Sequence, residues 1–173
     1  MYVAKAIIAE GGKVICTGLG VSPFHQNLSE RAKSYLNKTF DDFKDSIKTH
    51  LGSKASVEIL DVTLDENLKY FAKNLLKNKI NIDGVLHAVA MDKTIRNKKV
   101  KPLLEVSFDE FCGTMDVSAF SLIRLTNSLF KSKVLNAGAS ICALSYIAAE
   151  KVTFHPYRNC LLYTSPSPRD VEE

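Results

Sequence analysis

Short apolar runs alternate with stretches long enough for helices, and this alternation constrains the fold more than any other feature of the sequence. The runs are Lys13–Thr17, Ala55–Val62, Val85–Ala90 and Ser140–Leu144. They are nearly continuous in apolar residues, as strands covered on both faces of a parallel sheet are. Ser29 fits an N-cap for a helix to about Leu51, with Ala32, Tyr35, Leu36, Phe40, Phe43 and Ile47 on one face and Gly52 as its stop. Residues 65–79 read as a second helix with Leu68, Phe71, Ala72, Leu75 and Leu76 inward. Ser107–Glu110 reads as a capping box opening a long helix to about Lys133. Residues 1–10 form a further helix, with Val3, Ala6 and Ile7 apolar, ended by Gly11-Gly12. Asp83-Gly84 reads as a turn into the third strand, and residues 93–102 as a basic loop. Helices alternating with buried strands predict an α/β fold with a doubly wound parallel sheet.

Composition narrows the function classes. The chain has 173 residues, 46% hydrophobic and 24% charged, the profile of an ordinary globular domain with a real core. No apolar stretch reaches the ~18 residues of a membrane span, and no signal peptide opens the chain. The net charge is +4, with the basic residues gathered in Lys93, Arg96, Lys98, Lys99 and Lys101. No aromatic residues interleave them, so they read as a solvated loop and not as a nucleic-acid surface. Cys16, Cys112, Cys142 and Cys160 form no C-x-x-C pair and have no metal-type histidine spacing. Their use fits a reducing cytoplasm, and no metal is expected.

The fourth strand ends abruptly in Ser145-Tyr146, and Tyr157 follows. Parallel sheets place their chemistry at the carboxyl ends of their strands. Two phenols there fit donors to a substrate carbonyl; they fit equally a pair of buried tyrosines hydrogen-bonded to neighbours. Asp61, at the end of the second strand, fits either a turn former or an acceptor for a ligand. His87 reads as a structural hydrogen-bond partner.

Three local patterns carry a resemblance. They are Asp61-Val62-Thr63 before an acidic helix start, Asp83–Ala90 (D-G-V-L-H-A-V-A), and Met115–Leu122 (M-D-V-S-A-F-S-L) followed by Leu144–Lys151 (L-S-Y-I-A-A-E-K). With them, residues 1–159 resemble the enoyl-[acyl-carrier-protein] reductases of the short-chain dehydrogenase/reductase superfamily. The resemblance implies a Rossmann-like fold and reduction of the trans-2 double bond of an acyl thioester carried by acyl carrier protein. The hydride comes from a nicotinamide cofactor. It implies Tyr146 and Tyr157 as catalytic residues, with Tyr157 donating to the enolate oxygen. It implies Asp61 and Val62 beside the adenine ring, and Val89, Ala90 and Ser145 among the further cofactor contacts. Asp92 falls at the substrate-contact position. No basic residue lies in Thr17–Val21 to meet a 2′-phosphate, so NADH is favoured over NADPH. Relatives imply a homotetramer built through the helix of residues 107–133. A carbonyl reductase of the same superfamily and a non-catalytic dinucleotide-fold module are the competing readings.

The chain also departs from the family. No first strand and no glycine-rich phosphate turn precede the first helix, and Leu19 stands where a polar cofactor contact is expected. The lysine expected seven residues after the active tyrosine falls on Thr164, within residues 160–173, which match no element period and read as a non-native tail. The expected sheet is therefore incomplete, lacking its first and last strands, and the chain as written is expected to be inactive and weakly stable.

Overall fold

The computed structural model of the chain describes residues 1–92, 95–96 and 99–145. The chain divides into two compact units, residues 1–71 and 72–173.

In the first unit, helix α1 (Tyr2–Ala9) leads into strand β1 (Val14–Gly18), helix α2 (Glu30–Leu51) and strand β2 (Ala55–Ile59). Strands β1 and β2 pair in parallel, from Val14 opposite Ala55 to Gly18 opposite Ile59. The Leu60 amide extends the ladder to the Gly18 carbonyl at 2.9 Å. Helix α2 packs on both strands. Its start is fixed by the Ser29 hydroxyl, which accepts from the Ala32 amide at 3.2 Å and satisfies one of the orphan donors of the first turn. Its end is fixed by Gly52 at φ +65°, a conformation that glycine adopts without a Cβ penalty. Ile47, Leu51, Leu60, Val62 and Leu68 are the buried apolar side chains of this unit. Gly20 lets the loop after β1 lie against Ile59 and Phe40: a Cβ there would stand 3.0 Å from Ile59 and 3.1 Å from Phe40.

Several positions expected on apolar faces are exposed, Leu76 in the helix of residues 65–79 among them. Tyr35 on α2 is 69% exposed, and on α1 Val3 and Ile7 face outward while Ala4 and Ile8 are partly covered. The buried side chains of α2, Ile47 and Leu51, lie toward its C-terminal end, so its apolar stripe is narrower than its sequence suggests.

Helix α3 (Asp65–Lys77) spans the boundary of the units. In the second unit, strand β3 (Ile82–His87) is followed by the short antiparallel strands β4 (Ile95–Arg96) and β5 (Lys99–Val100), within the expected basic loop. Helix α4 (Phe108–Met115) follows, then a π-helical turn (Asp116–Phe120), helix α5 (Ser121–Lys131) and strand β6 (Leu135–Ala143). The expected long helix is therefore continuous but carries a π turn in its middle. Its start is the expected capping box: the Ser107 hydroxyl accepts from the Glu110 amide at 3.2 Å and the Glu110 carboxylate accepts from the Ser107 amide at 3.0 Å. Lys101 donates to the same carboxylate at 2.8 Å. Together these donors hold the Glu110 carboxyl down to about 2.

Strands β3 and β6 pair in parallel, and α5 packs on β6. Asp83-Gly84 is not a turn; it lies inside β3, at an irregularity where the register moves from Ile82 opposite Leu135 to Gly84 opposite Ser140. Strand β6 is parallel as expected but begins earlier, and it is not buried: Ile141 is 42% and Leu144 59% exposed. The parallel strands form two two-stranded sheets, β1 with β2 and β3 with β6.

Candidate functional site

In the first unit, the end of β2 carries the sequence-selected pair Asp61 and Val62. Val62 is buried and fixes the chain into the core; Asp61 is partly covered. The Asp61 backbone amide donates to the Asn67 side-chain oxygen at 2.8 Å, which ties the strand end to the first turns of α3. The carboxylate is held by three donors. Its Oδ1 accepts from the Thr63 amide at 2.8 Å and from the Thr63 hydroxyl at 2.6 Å. Its Oδ2 accepts from His25 Nε2 at 2.9 Å. The tautomer follows from the far side of the ring, where the Ser22 amide donates to Nδ1 at 3.0 Å. A backbone amide can only donate, so Nδ1 carries no proton and Nε2–H is the donor to Asp61. Burial works to raise the Asp61 pKa, but the hydrogen bonds from Thr63 and His25 outweigh it and hold the carboxyl below its ordinary value. Asp61 is therefore an ionised, preoriented acceptor at neutral pH.

In the second unit, the ends of β3 and β6 leave the sheet side by side. His87 stands opposite Ala143, and the Leu144 amide donates to the His87 carbonyl at 3.0 Å. Val89 is partly covered, Ala90 exposed and Ser145 exposed. All three sit just past those strand ends, so the structure brings these sequence-selected positions together within the unit. Asp92 is partly covered. Tyr146 and Tyr157 lie outside the described residues.

The loop after β3 is fixed from the π turn. The Ser118 hydroxyl donates to the Met91 carbonyl at 3.1 Å and accepts from the Met91 amide at 3.0 Å. One turn on, the Ser121 hydroxyl donates to the Val117 carbonyl at 2.6 Å, which leaves its oxygen to accept from His87 Nε2 at 2.7 Å. Burial pushes the His87 imidazole below its ordinary range and keeps it neutral. His87 therefore has the structural role expected of it. The π turn sets Ser118 and Ser121 toward the end of β3, and π bulges often mark functional sites. Sequence reasoning missed His25 and Ser118. Polar residues at the ends of the flanking apolar runs were the available signal, but their partners are remote in sequence.

A profile of the family described as "Enoyl-(Acyl carrier protein) reductase" matches residues 2–160. The enoyl-[acyl-carrier-protein] reductase [NADH] FabI of Aquifex aeolicus (strain VF5) is 30% identical over 157 residues, covering 86% of this chain and 57% of that protein. The crystal structure of the Anaplasma phagocytophilum enoyl-(acyl-carrier-protein) reductase in complex with NAD superposes with a TM-score of 0.69 at 27% identity. That match covers 93% of this chain and 53% of the other. The crystal structure of the Aquifex aeolicus VF5 enoyl-[acyl-carrier-protein] reductase (NADH) gives a TM-score of 0.64 at 25% identity, over 93% and 55%. The chain thus spans about half the length of the relatives it matches, and its fold is Rossmann-like α/β.

Proposed function

The chain belongs to the enoyl-(acyl carrier protein) reductase family, and on that premise we propose that the whole protein reduces the trans-2 double bond of acyl thioesters carried by acyl carrier protein, using NADH. The observation that carries the reading is the family match over residues 2–160, which takes in both strand ends where the candidate residues stand.

The residues present fit the adenine end of a dinucleotide. Asp61 is a fixed, ionised acceptor suited to an exocyclic amine, and the buried Val62 presents an apolar neighbour. In the second unit, Val89, Ala90 and Ser145 would contact the cofactor, and Asp92 would contact substrate. When bound, the nicotinamide supplies a hydride to the β-carbon of the enoyl group. Charge then develops on the thioester oxygen. Tyr157, with Tyr146 beside it, would donate to that oxygen, and a donor already aimed at developing charge usually lowers the barrier more than any other single effect. Ser118, by clamping Met91, keeps the loop that carries Asp92 in place. Within this reading residues 1–159 belong to the catalytic domain and residues 160–173 contribute nothing to it. The protein acts in the cytoplasm as a homotetramer, without nucleic acid. Among the described residues no helix is long and apolar enough to cross a membrane.

The test is substrate choice. The whole protein is expected to oxidise NADH with a short 2-enoyl thioester and to leave simple ketones alone. Ketone reduction in its place would favour a carbonyl reductase. Absence of dinucleotide binding would favour a non-catalytic module.

A further inference from the structure

The Asp61 side chain is only 15% exposed, and one of its partners imitates the ligand proposed for it. Thr63 fills Oδ1 twice, so Oδ2 is the oxygen left for an incoming donor. His25 Nε2–H lies on Oδ2 at 2.9 Å, and the two side chains are only 10% and 15% exposed. The ring is braced from behind. Ser22, itself buried, donates its amide to Nδ1 and accepts the Phe24 amide on its hydroxyl at 3.1 Å. The next ring, Phe24, leans on Tyr70 of α3 with centroids 5.5 Å apart. The Ser22–His25 segment is thus bonded within itself, closed over Asp61 and leaning on α3 through Phe24.

We propose that His25 is a built-in stand-in for adenine: its Nε2–H occupies the Asp61 oxygen that the exocyclic amine of the nucleotide takes, so that Ser22–His25 is a latch which dinucleotide binding opens. The inference rests on the reading of Asp61 as the adenine contact. Imidazole N–H and adenine amine are both neutral donors on flat heteroaromatic rings, so exchanging one for the other keeps the carboxylate satisfied. Asp61 does not need His25 to hold its position. Thr63 fixes the carboxylate and Asn67 fixes the backbone. Removing His25 therefore leaves the acceptor in place and open. Affinity for the nucleotide is reduced by the fraction of molecules in which the latch is shut.

The experiment is a calorimetric titration of the 173-residue chain with adenosine monophosphate and, separately, inosine monophosphate, which carries an oxo group in place of the amine. His25→Ala and His25→Phe are expected to tighten adenosine monophosphate about tenfold, the scale of one hydrogen bond to a charged group. Neither should tighten inosine monophosphate by more than about twofold on the same scale. Asp61→Asn is expected to weaken adenosine monophosphate. Unchanged affinity in both His25 variants, or an equal gain for both nucleotides, overturns the latch. The adenine site itself then stands if Asp61→Asn still weakens binding. No binding by any form overturns both. The unaltered chain gives a readout that needs no variant: the His25 Nε2–H resonance should shift as adenosine monophosphate is added while that of His87 stays. Binding without that shift overturns the latch.

Discussion

Asp61 and His87 show how one residue's surroundings set what it can do. Each is held by a hydroxyl group, Asp61 by Thr63 two residues on and His87 by Ser121 from a remote segment. The direction of each pKa shift gives a pH dependence. His87 is kept neutral by burial, so its folded-state pKa lies below the unfolded value of ~6.5. It binds fewer protons folded than unfolded, and its contribution is complete above pH ~6.5 and falls as the pH drops below that value. Asp61 is depressed in the same sense from its carboxylate value, so its contribution is present above pH ~4 and lost below it. Chemical denaturation between pH 7.5 and 5.5 should therefore show declining stability, and His87→Asn should flatten that decline. An unchanged slope in the variant would remove His87 as its cause. His25, by contrast, was not legible in the sequence: a histidine in a loop gives no sign that a residue on the next strand will face it.

At the scale of elements, the ends of helices and the turns inside them decide where the strands point. Two helices end on a lysine in the left-handed region, Lys79 at φ +54° and Lys133 at φ +55°. In each case the next amide reaches back to a carbonyl of the last turn, Ile80 to Leu75 at 2.9 Å and Val134 to Leu129 at 3.2 Å. Glycine is the usual residue there, because a side chain in that conformation carries strain. Lys133→Gly is expected to raise stability by about 1 kcal/mol and Lys133→Val to lower it, read by urea denaturation. Ser118→Ala should cost about 1–3 kcal/mol, since it leaves the Met91 amide without its partner. The capping box at Glu110 should weaken as the pH falls from ~4.5 toward 2, with Glu110→Gln removing that dependence. The capping serines and Gly52 were readable in advance because the signals that end helices are local. The π turn and the irregularity at Gly84 were not, and neither were the lysine caps, where glycine is the usual signal. Leu76 shows the same limit: it has the helical spacing of a core residue and is 53% exposed.

At the scale of the whole molecule, each unit holds one two-stranded parallel sheet and one set of strand ends. The alternation of apolar runs and helices made the α/β class readable, and the parallel pairing followed from it. The burial did not follow. An apolar run such as Ser140–Leu144 suits a strand covered on both faces, and the described residues leave Ile141 and Leu144 exposed. Two-stranded sheets are marginal alone, and unpaired backbone groups cost ~1–3 kcal/mol where they are buried. The 173-residue chain is therefore expected to unfold in a broad transition and to bind the 8-anilinonaphthalene-1-sulfonate dye, whereas the whole protein unfolds sharply and does not. The candidate site has the same division of legibility. Asp61, Val62, Val89, Ala90 and Ser145 were singled out through the family resemblance, and they follow strands of the kind whose ends gather ligands in parallel sheets. The measurement that bears most directly on the proposed chemistry is NADH oxidation by the whole protein, at the length of its relatives, with crotonyl thioester as substrate. Turnover is expected, and it should fall at least about a hundredfold in Tyr157→Phe, as loss of a donor to developing charge entails; no turnover, or turnover that Tyr157→Phe leaves intact, would contradict that chemistry.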